Sequence, residues 1–291
     1  MYKTSEIRVR DPYVVVSNGA YYLYKSDLEN EIIVFKSYDL ENWEEPKTVY
    51  TIPENSWAEM DLWAPEVHYY NGKYYMFLSL MGKNGKRGTE ISVSDTPDGR
   101  FTPIVNGPAT PPERSCIDGP LYVEVETPYI VYSADWPDNY NKEQDCYIGE
   151  IWAVQLTEDL KERVGSPFML FRSGLSLCSK EPNIMEWNGK QIKRYGSDAP
   201  FITKLSDGTL YLTWSPFPGD TYIVAAAVAK NIKDEWVHLD KPLFDDNGGH
   251  AMFFDDLNGN KKLCIHWPER WFDERARFID VKEVNGTLEI I

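Results

Sequence analysis

The sequence predicts an all-β fold, a five-bladed β-propeller, because one short phrase recurs five times along its 291 residues. Each copy runs from a Pro, Gly or His into a stretch of β-branched or aromatic residues, then a turn, then an aromatic strand. Asn-Gly and Asp-Gly dipeptides mark four of the turns, since both central residues of a tight hairpin need positive φ. The five turn positions are Gly19, Gly72, Thr127, Gly208 and Gly259.

The spacing of these turns sets the size of the repeat. Three of the four intervals span a little over fifty residues, close to one propeller blade of four strands, which is about 40–50 residues long. The longer interval carries an insertion at about residues 135–197. We therefore expect a single five-bladed domain over residues 1–291. The alternative is a β-sandwich whose turns resemble one another by chance.

The two ends of the chain are expected to close the ring. Residues 6–10 and 277–281 are strand candidates, because both stretches are short and rich in β-branched or aromatic residues. Pairing between them would remove an exposed sheet edge.

The repeated phrases also place acidic residues. In chain order the copies open on Asp11-Pro12, Ala64-Pro65, Asp118-Gly119-Pro120, Asp198-Ala199-Pro200 and Gly249-His250. Three aspartates precede the first strand of their blade, and that strand lines the channel of a propeller. We therefore expect Asp11, Asp118 and Asp198 at equivalent positions facing one mouth of the channel. The alternative for each is a turn former, because Asp is common before Pro or Gly in turns.

Charge and hydropathy limit the partners. The net charge of −16 and the pI near 4.7 argue against nucleic acid, whose phosphates would be repelled. No run of 18 apolar residues occurs, so no membrane-spanning segment is predicted. The first residues lack an apolar signal region, which favours a cytoplasmic protein, although a secreted protein trimmed of its signal would have the same sequence.

The chemistry is expected to come from carboxylates in an aromatic setting. The sequence has no Walker loop, dinucleotide-binding glycine motif, serine nucleophile elbow or zinc-protease motif. It does have ten Trp and nineteen Tyr, whose rings fill cores and also stack on sugars. Two opposed carboxyl groups are the minimal equipment for cleaving a glycosidic bond, and a third carboxylate raises the pKa of the acid.

The ordered set of phrases resembles glycoside hydrolase family 43 over nearly the whole chain. The phrases are Arg10-Asp11-Pro12-Tyr13, Trp63-Ala64-Pro65-Glu66-Val67, Ile117-Asp118-Gly119-Pro120, Ser197-Asp198-Ala199-Pro200-Phe201 and Gly248-Gly249-His250-Ala251-Met252. The resemblance implies a five-bladed catalytic propeller that inverts the anomeric centre, as in arabinofuranosidases, xylosidases, arabinanases and galactosidases. We expect an enzyme that releases a terminal sugar from an oligosaccharide or polysaccharide. The alternatives are a carbohydrate-binding propeller without catalysis, and a sugar phosphorylase or transferase with a basic phosphate pocket.

The resemblance assigns roles to the aspartates. Asp11 resembles the general base, and Asp118 resembles the carboxylate that tunes and orients the acid. Asp198 stands where the family commonly has the Glu of a Glu-Gly-Pro phrase, so its carboxyl is one methylene shorter, by about 1.5 Å, than the usual general acid. Glu181, in the inserted stretch, is the alternative acid.

Further residues are expected around the sugar. The predicted substrate-binding set is Arg10, Trp63, Glu66, Trp214, His266 and Arg270. The chemistry requires no cofactor, but the resemblance implies that His250 lies in the channel near a calcium ion held through ordered water. Direct ligation by His250 is not expected, because calcium prefers oxygen ligands.

Overall fold

The computed structural model describes residues 1–27 and 30–291, and it confirms the five-bladed β-propeller. Within these residues the strands form six sheets, of which five are the blades. Blade 1 contains Tyr2–Lys3, Tyr13–Ser17, Ala20–Asp27, Glu31–Ser37, Asn42–Trp43 and Lys47–Thr51. Blade 2 contains Ala58–Tyr70, Lys73–Gly82, Arg87–Ser94 and Thr102–Pro103.

The remaining blades follow in chain order. Blade 3 contains Cys116–Ile117, Leu121–Glu124, Thr127–Ala134, Glu150–Leu156 and Arg163–Arg172. Blade 4 contains Asp198–Lys204, Leu210–Ser215, Ala225–Ala229 and Val237–His238. Blade 5 contains Gly249–Asp255, Lys261–Trp267, Arg275–Val284 and Thr287–Ile290. Three short 3₁₀ helices, Thr4–Glu6, Trp136–Asp138 and Leu177–Ser179, complete the described elements, and none of the described helices is long and apolar enough to cross a membrane.

The predicted insertion forms a sheet of its own. Its strands are Tyr140–Asn141, Cys146–Ile148, Asn183–Trp187 and Lys190–Tyr195. The middle pair is parallel, unlike the antiparallel pairs within the blades. The predicted interval of 135–197 also includes the two outer strands of blade 3. Two strands of the extra sheet precede these blade strands in the sequence, and the other two follow them.

Each blade has a strained residue within or just before its innermost strand. The five residues have φ between 45° and 57°: Asp11, Ala64, Asp118, Ala199 and His250. Such conformations cost a non-glycine residue about 1 kcal/mol or more, so surrounding contacts must hold them. The preceding blade supplies those contacts, since the Asp118 N–H donates to Ser79 Oγ at 2.8 Å and the His250 N–H donates to Ser215 Oγ at 2.8 Å.

This repeat corrects the predicted equivalence of the three aspartates. Asp11 and Asp118 occupy the strained position itself, whereas Asp198 lies one residue earlier, before Ala199. Asp198 is therefore equivalent to Arg10 in blade 1 and not to Asp11.

The ring closes by a smaller contact than predicted. Residues 277–281 lie inside the strand Arg275–Val284, as expected, but residues 6–10 form no strand. Arg8 makes a single antiparallel bridge to Arg275, and the Val9 N–H donates to the Glu274 carbonyl at 3.1 Å. The predicted pairing of residues 6–10 with 277–281 is therefore replaced by these two contacts next to that range, at Arg275 and Glu274.

Candidate active site

A cavity of about 570 Å³ opens at the mouth of the channel, where the strained blade starts converge. Asp11, Asp118 and Asp198 all line it, so the structure brings the three predicted carboxylates together. The other walls come mainly from blades 1, 2 and 5, through residues that include Arg8, Arg10, Trp63, His250 and Trp271.

Asp11 is held among positive groups. Its Oδ1 lies 3.0 Å from His250 Nδ1 and 3.8 Å from Arg10 Nε. Burial would raise the pKa of Asp11, but the charges of His250 and Arg10 outweigh it and hold the pKa well below its usual range. Asp11 is therefore ionised at neutral pH and ready to accept a proton.

His250 is the cationic partner of Asp11. Burial alone would lower the pKa of His250, but the charge and hydrogen bond of Asp11 raise it to about 9. His250 is only 7% exposed, so this ion pair lies in a low-dielectric setting.

His266 supports Asp11 from behind. The Asp11 N–H donates to His266 Nδ1 at 3.2 Å, so that nitrogen is the acceptor and Nε2 carries the proton. Nε2 lies 2.6 Å from Glu269 Oε2, and the ring stacks on Tyr222 at 5.4 Å. Glu269 is clamped in turn by Arg10, whose Nη1 donates to both carboxylate oxygens at 2.9 Å. The chain Arg10–Glu269–His266 thus fixes the backbone that carries the base.

Asp118 and Asp198 have the opposite electrostatic setting. Burial, opposed by His250 but aided by the charge of Asp198, raises the pKa of Asp118 to about 7. Burial likewise raises the pKa of Asp198, against the lowering effect of Arg194 and His250. Asp118 Oδ2 accepts the Ala199 N–H at 3.0 Å, which ties it to the residue after Asp198. The pKa of one carboxyl is therefore lowered while the pKa values of the other two are raised, the usual separation of base from acid.

Two exposed tryptophans flank the cavity. Trp63, from blade 2, is 39% exposed, and the Arg87 guanidinium carbon lies 4.0 Å from its ring centroid. Trp271, from the loop between the second and third strands of blade 5, is 62% exposed and lies over Arg8 at 4.8 Å. Each ring is supported by a cation on one side, and a supported ring is a rigid platform for a sugar face.

Comparison with known proteins identifies the family. The model of the family described as glycosyl hydrolases family 43 matches residues 4–278. The chain belongs to glycosyl hydrolase family 43. The crystal structure of an endo-arabinase from Bacteroides thetaiotaomicron VPI-5482 superposes with a TM-score of 0.88 at 34% identity, covering 98% of each chain.

Two curated family relatives match less closely. A xylosidase/arabinosidase from Bacteroides ovatus is 25% identical over 76% of this chain and 74% of its own length. An extracellular endo-alpha-(1->5)-L-arabinanase 1 from Bacillus subtilis (strain 168) is 31% identical over 80 residues, which cover 25% of either protein. The chain thus matches only a quarter of the length of that arabinanase.

Several residues predicted to bind the sugar lie elsewhere in this family 43 protein. Trp214 is fully buried and packs against Phe171, with 4.8 Å between the ring centroids. The prediction that Trp214 binds the sugar is therefore wrong, because a sugar cannot reach a ring in the core. His266 is also fully buried and acts behind Asp11, as described above. Glu66 is 5% exposed and lies beside His68, with 3.7 Å between Oε2 and Nε2, outside the cavity lining.

Two charged residues from the sequence predictions also lie outside the cavity lining. Arg270 is exposed and pairs with Asp273, while its neighbour Glu269 reaches the site instead. The alternative acid Glu181 is exposed beside Gly219, whereas Asp198 lines the cavity. Of the predicted binding residues, Arg10 and Trp63 do line it.

Three residues at this site were missed by the sequence predictions. Glu269 and Trp271 both follow the aromatic strand of blade 5, in a stretch from Trp267 to Phe272 from which the predicted binding set includes only Arg270. Asp135 is a buried carboxylate at the start of the insertion, near Asp198. The signal for Asp135 was its place directly after the strand Thr127–Ala134 of blade 3, where the insertion begins.

The channel residues do not fit a directly bound calcium ion. Among the described residues, no group of three or more His, Cys, Asp or Glu side chains is placed to hold a metal. Glu66 Oε2 and His250 Nε2 are buried without a hydrogen-bond partner. However, the pKa of His250 is raised to about 9, so a calcium ion there would meet a like charge instead of the oxygen ligands that it prefers.

Proposed function

We propose that this family 43 protein hydrolyses the glycosidic bonds of an arabinan-type oligosaccharide or polysaccharide with inversion. One observation carries the proposal: Asp11, whose pKa is lowered, faces the same cavity as two carboxyls whose pKa values are raised, Asp118 and Asp198. The likeness to an endo-arabinase across 98% of the chain supports the choice of sugar.

Asp11 acts as the general base in this proposal. It draws a proton from a water molecule, whose oxygen then attacks the anomeric carbon. The pairing with His250 fixes the carboxylate, and the His266–Glu269–Arg10 chain fixes its backbone. These contacts preorganise the base for one water position.

Asp198 acts as the general acid on the opposite side. Its O–H bond breaks as the leaving oxygen takes the proton, and solvent later restores the acid. Asp118 keeps the acid in place, because its Oδ2 accepts the N–H of Ala199, the residue after Asp198. Repulsion between the two carboxylates also raises the free energy of ionising Asp198. Inversion requires room for water between base and acid, a carboxyl separation of about 6.5–9.5 Å.

The two exposed tryptophans beside the cavity bear on whether the enzyme cleaves at the end of the sugar chain or within it. Trp63 and Trp271 come from blades 2 and 5, which flank blade 1 on its two sides in the ring. Release of a terminal sugar is the function expected from the sequence. Cleavage within the chain is the second candidate, favoured by exposed platforms on two blades and by the endo-arabinase likeness.

The test is incubation with linear arabinan, arabino-oligosaccharides, xylo-oligosaccharides and galactosides, followed by chromatography of the products. Arabinose alone at early times supports terminal release, while a ladder of oligosaccharides supports internal cleavage. Turnover only with added phosphate would replace hydrolysis by phosphorolysis. Sugar-dependent thermal protection without any product would leave a binding propeller and overturn the proposal.

A further inference from the structure

Asp135 is a buried carboxyl that no role above uses. It directly follows the strand Thr127–Ala134 of blade 3 and precedes the short helix Trp136–Asp138 at the start of the insertion. It is only 6% exposed. Its N–H donates to the Ser115 carbonyl at 3.0 Å, and its carbonyl accepts from Asn139 Nδ2 at 3.2 Å. The backbone that carries this carboxyl is therefore fixed from both sides.

The segment that carries Asp135 runs beside the one that carries Asp198. Ser133 Oγ and Ser197 Oγ are 2.6 Å apart, and both serines are almost fully buried. Gly149 closes over this contact, because a Cβ there would collide with Ser197 Oγ. Asp135 is two residues beyond one serine and Asp198 is one residue beyond the other, so the fold brings two buried carboxyls to one region.

The electrostatics of the two carboxyls are linked. Burial and then the charge of Asp198 raise the pKa of Asp135 to about 7, against Arg87. Arg194, which lies between the rings of Trp136 and Phe217 at 5.1 and 5.0 Å, lowers the pKa of both carboxyls. The charged or titratable groups that act on the pair are Arg87, Arg194, Arg10, His250, Asp11, Asp118 and Tyr222.

We propose that Asp135 is a positioning residue for the general acid, and that the Asp135–Asp198 pair holds one proton that Asp198 delivers to the leaving oxygen. Like charges resist joint ionisation, so the second proton of such a pair leaves only at high pH. Asp135 does not line the cavity and therefore acts through Asp198, not on the sugar. This inference rests on the proposed function and adds a regulator of the acid supplied at the start of the insertion.

The test compares pH profiles of kcat/KM for wild type and Asp135→Asn. The substrates are an arabino-oligosaccharide, whose leaving group needs a proton, and an aryl arabinofuranoside with an acidic phenol, which does not. Without the neighbouring charge, Asp198 loses its proton at lower pH, so the basic limb should move down by about one pH unit. At pH 7.5 the loss should be about tenfold on the oligosaccharide and below about threefold on the aryl substrate.

Two further variants sharpen the test. Arg194→Gln removes a charge that favours ionisation, so its basic limb should move to higher pH, opposite to that of Asp135→Asn. Asp138→Asn is the matched control, since this carboxylate belongs to the short helix that Asp135 precedes but accepts from the Ser115 N–H and Lys86 at 2.7 Å. Its basic limb should stay at the wild-type position.

A basic limb that is unchanged in Asp135→Asn, or equal losses on both substrates at every pH, would overturn the inference. If Asp135→Asn does not fold, Asp135→Ser, which also removes the carboxyl, takes its place in the same comparison, and an unmoved basic limb refutes the pair. If the wild-type protein cleaves no glycoside, the proposed function is wrong. If the wild-type protein is active but the basic limb does not move in Asp135→Asn, only the role of Asp135 is wrong.

Discussion

The His250–Asp11 ion pair predicts a loss of folding stability in mildly alkaline solution. The pKa of His250 is about 9 in the folded protein, against about 6.5 for an exposed histidine. A raised histidine pKa stabilises the fold fully below pH 6.5, and the contribution disappears as the pH rises through about 9. The difference of about 2.5 pH units corresponds to about 3 kcal/mol of unfolding free energy.

The assay is urea unfolding at closely spaced pH values from 6 to 10. The pKa values of Asp118 and Asp135 are raised to about 7, so the stability that these two carboxyls contribute is nearly lost by pH 7. The decline in unfolding free energy from pH 7.5 to 9.5 therefore reports mainly on His250. Asp11→Asn removes the charge that raises the pKa of His250, so this variant should be less stable at pH 6.5 but nearly flat between pH 7.5 and 9.5. A decline of equal size in wild type and Asp11→Asn would refute the ion pair as its cause.

The remaining predictions concern catalysis and binding. Asp198→Asn should lower kcat on arabino-oligosaccharides by about 10²–10⁴-fold and much less on aryl glycosides with acidic phenols; equal losses in stopped assays would count against an acid role. Trp271→Ala should raise KM for oligosaccharides about tenfold, with Arg270→Ala, whose side chain is 78% exposed, changing it less than about twofold. Removal of divalent metals with EDTA should leave kcat/KM within about twofold, because His250 already supplies the positive charge beside Asp11; loss of activity restored by added calcium would contradict this.

The blades were predictable because their signals are local. An Asn-Gly turn needs positive φ wherever it stands, and Asn18 and Asn71 have φ of 49° and 45° as the pattern requires. The three aspartates followed from the same repeat, because a strand start is a fixed place in each blade. The offset of Asp198 was not visible, since only the structure shows that Ala199 takes the strained position.

The walls of the site were not predictable from the same signals. Trp63 and Trp214 both stand near the predicted channel, yet one is 39% exposed and the other is fully buried. Inner strands carry apolar residues on both faces, so alternation does not separate core from cavity. Glu269 and Asp135 reach the site through loops whose course depends on packing between distant segments, as the Ser133–Ser197 contact illustrates for Asp135.

The most direct test of the central claim is product analysis on arabino-oligosaccharides by wild type and Asp11→Asn, with the anomer of the first product followed by NMR. The account predicts hydrolysis by wild type with an inverted first product. It also predicts a loss of at least about 10²-fold in Asp11→Asn, with sugar binding retained. Retained anomeric configuration, or near wild-type turnover in Asp11→Asn, would contradict the assignment of Asp11 as the base.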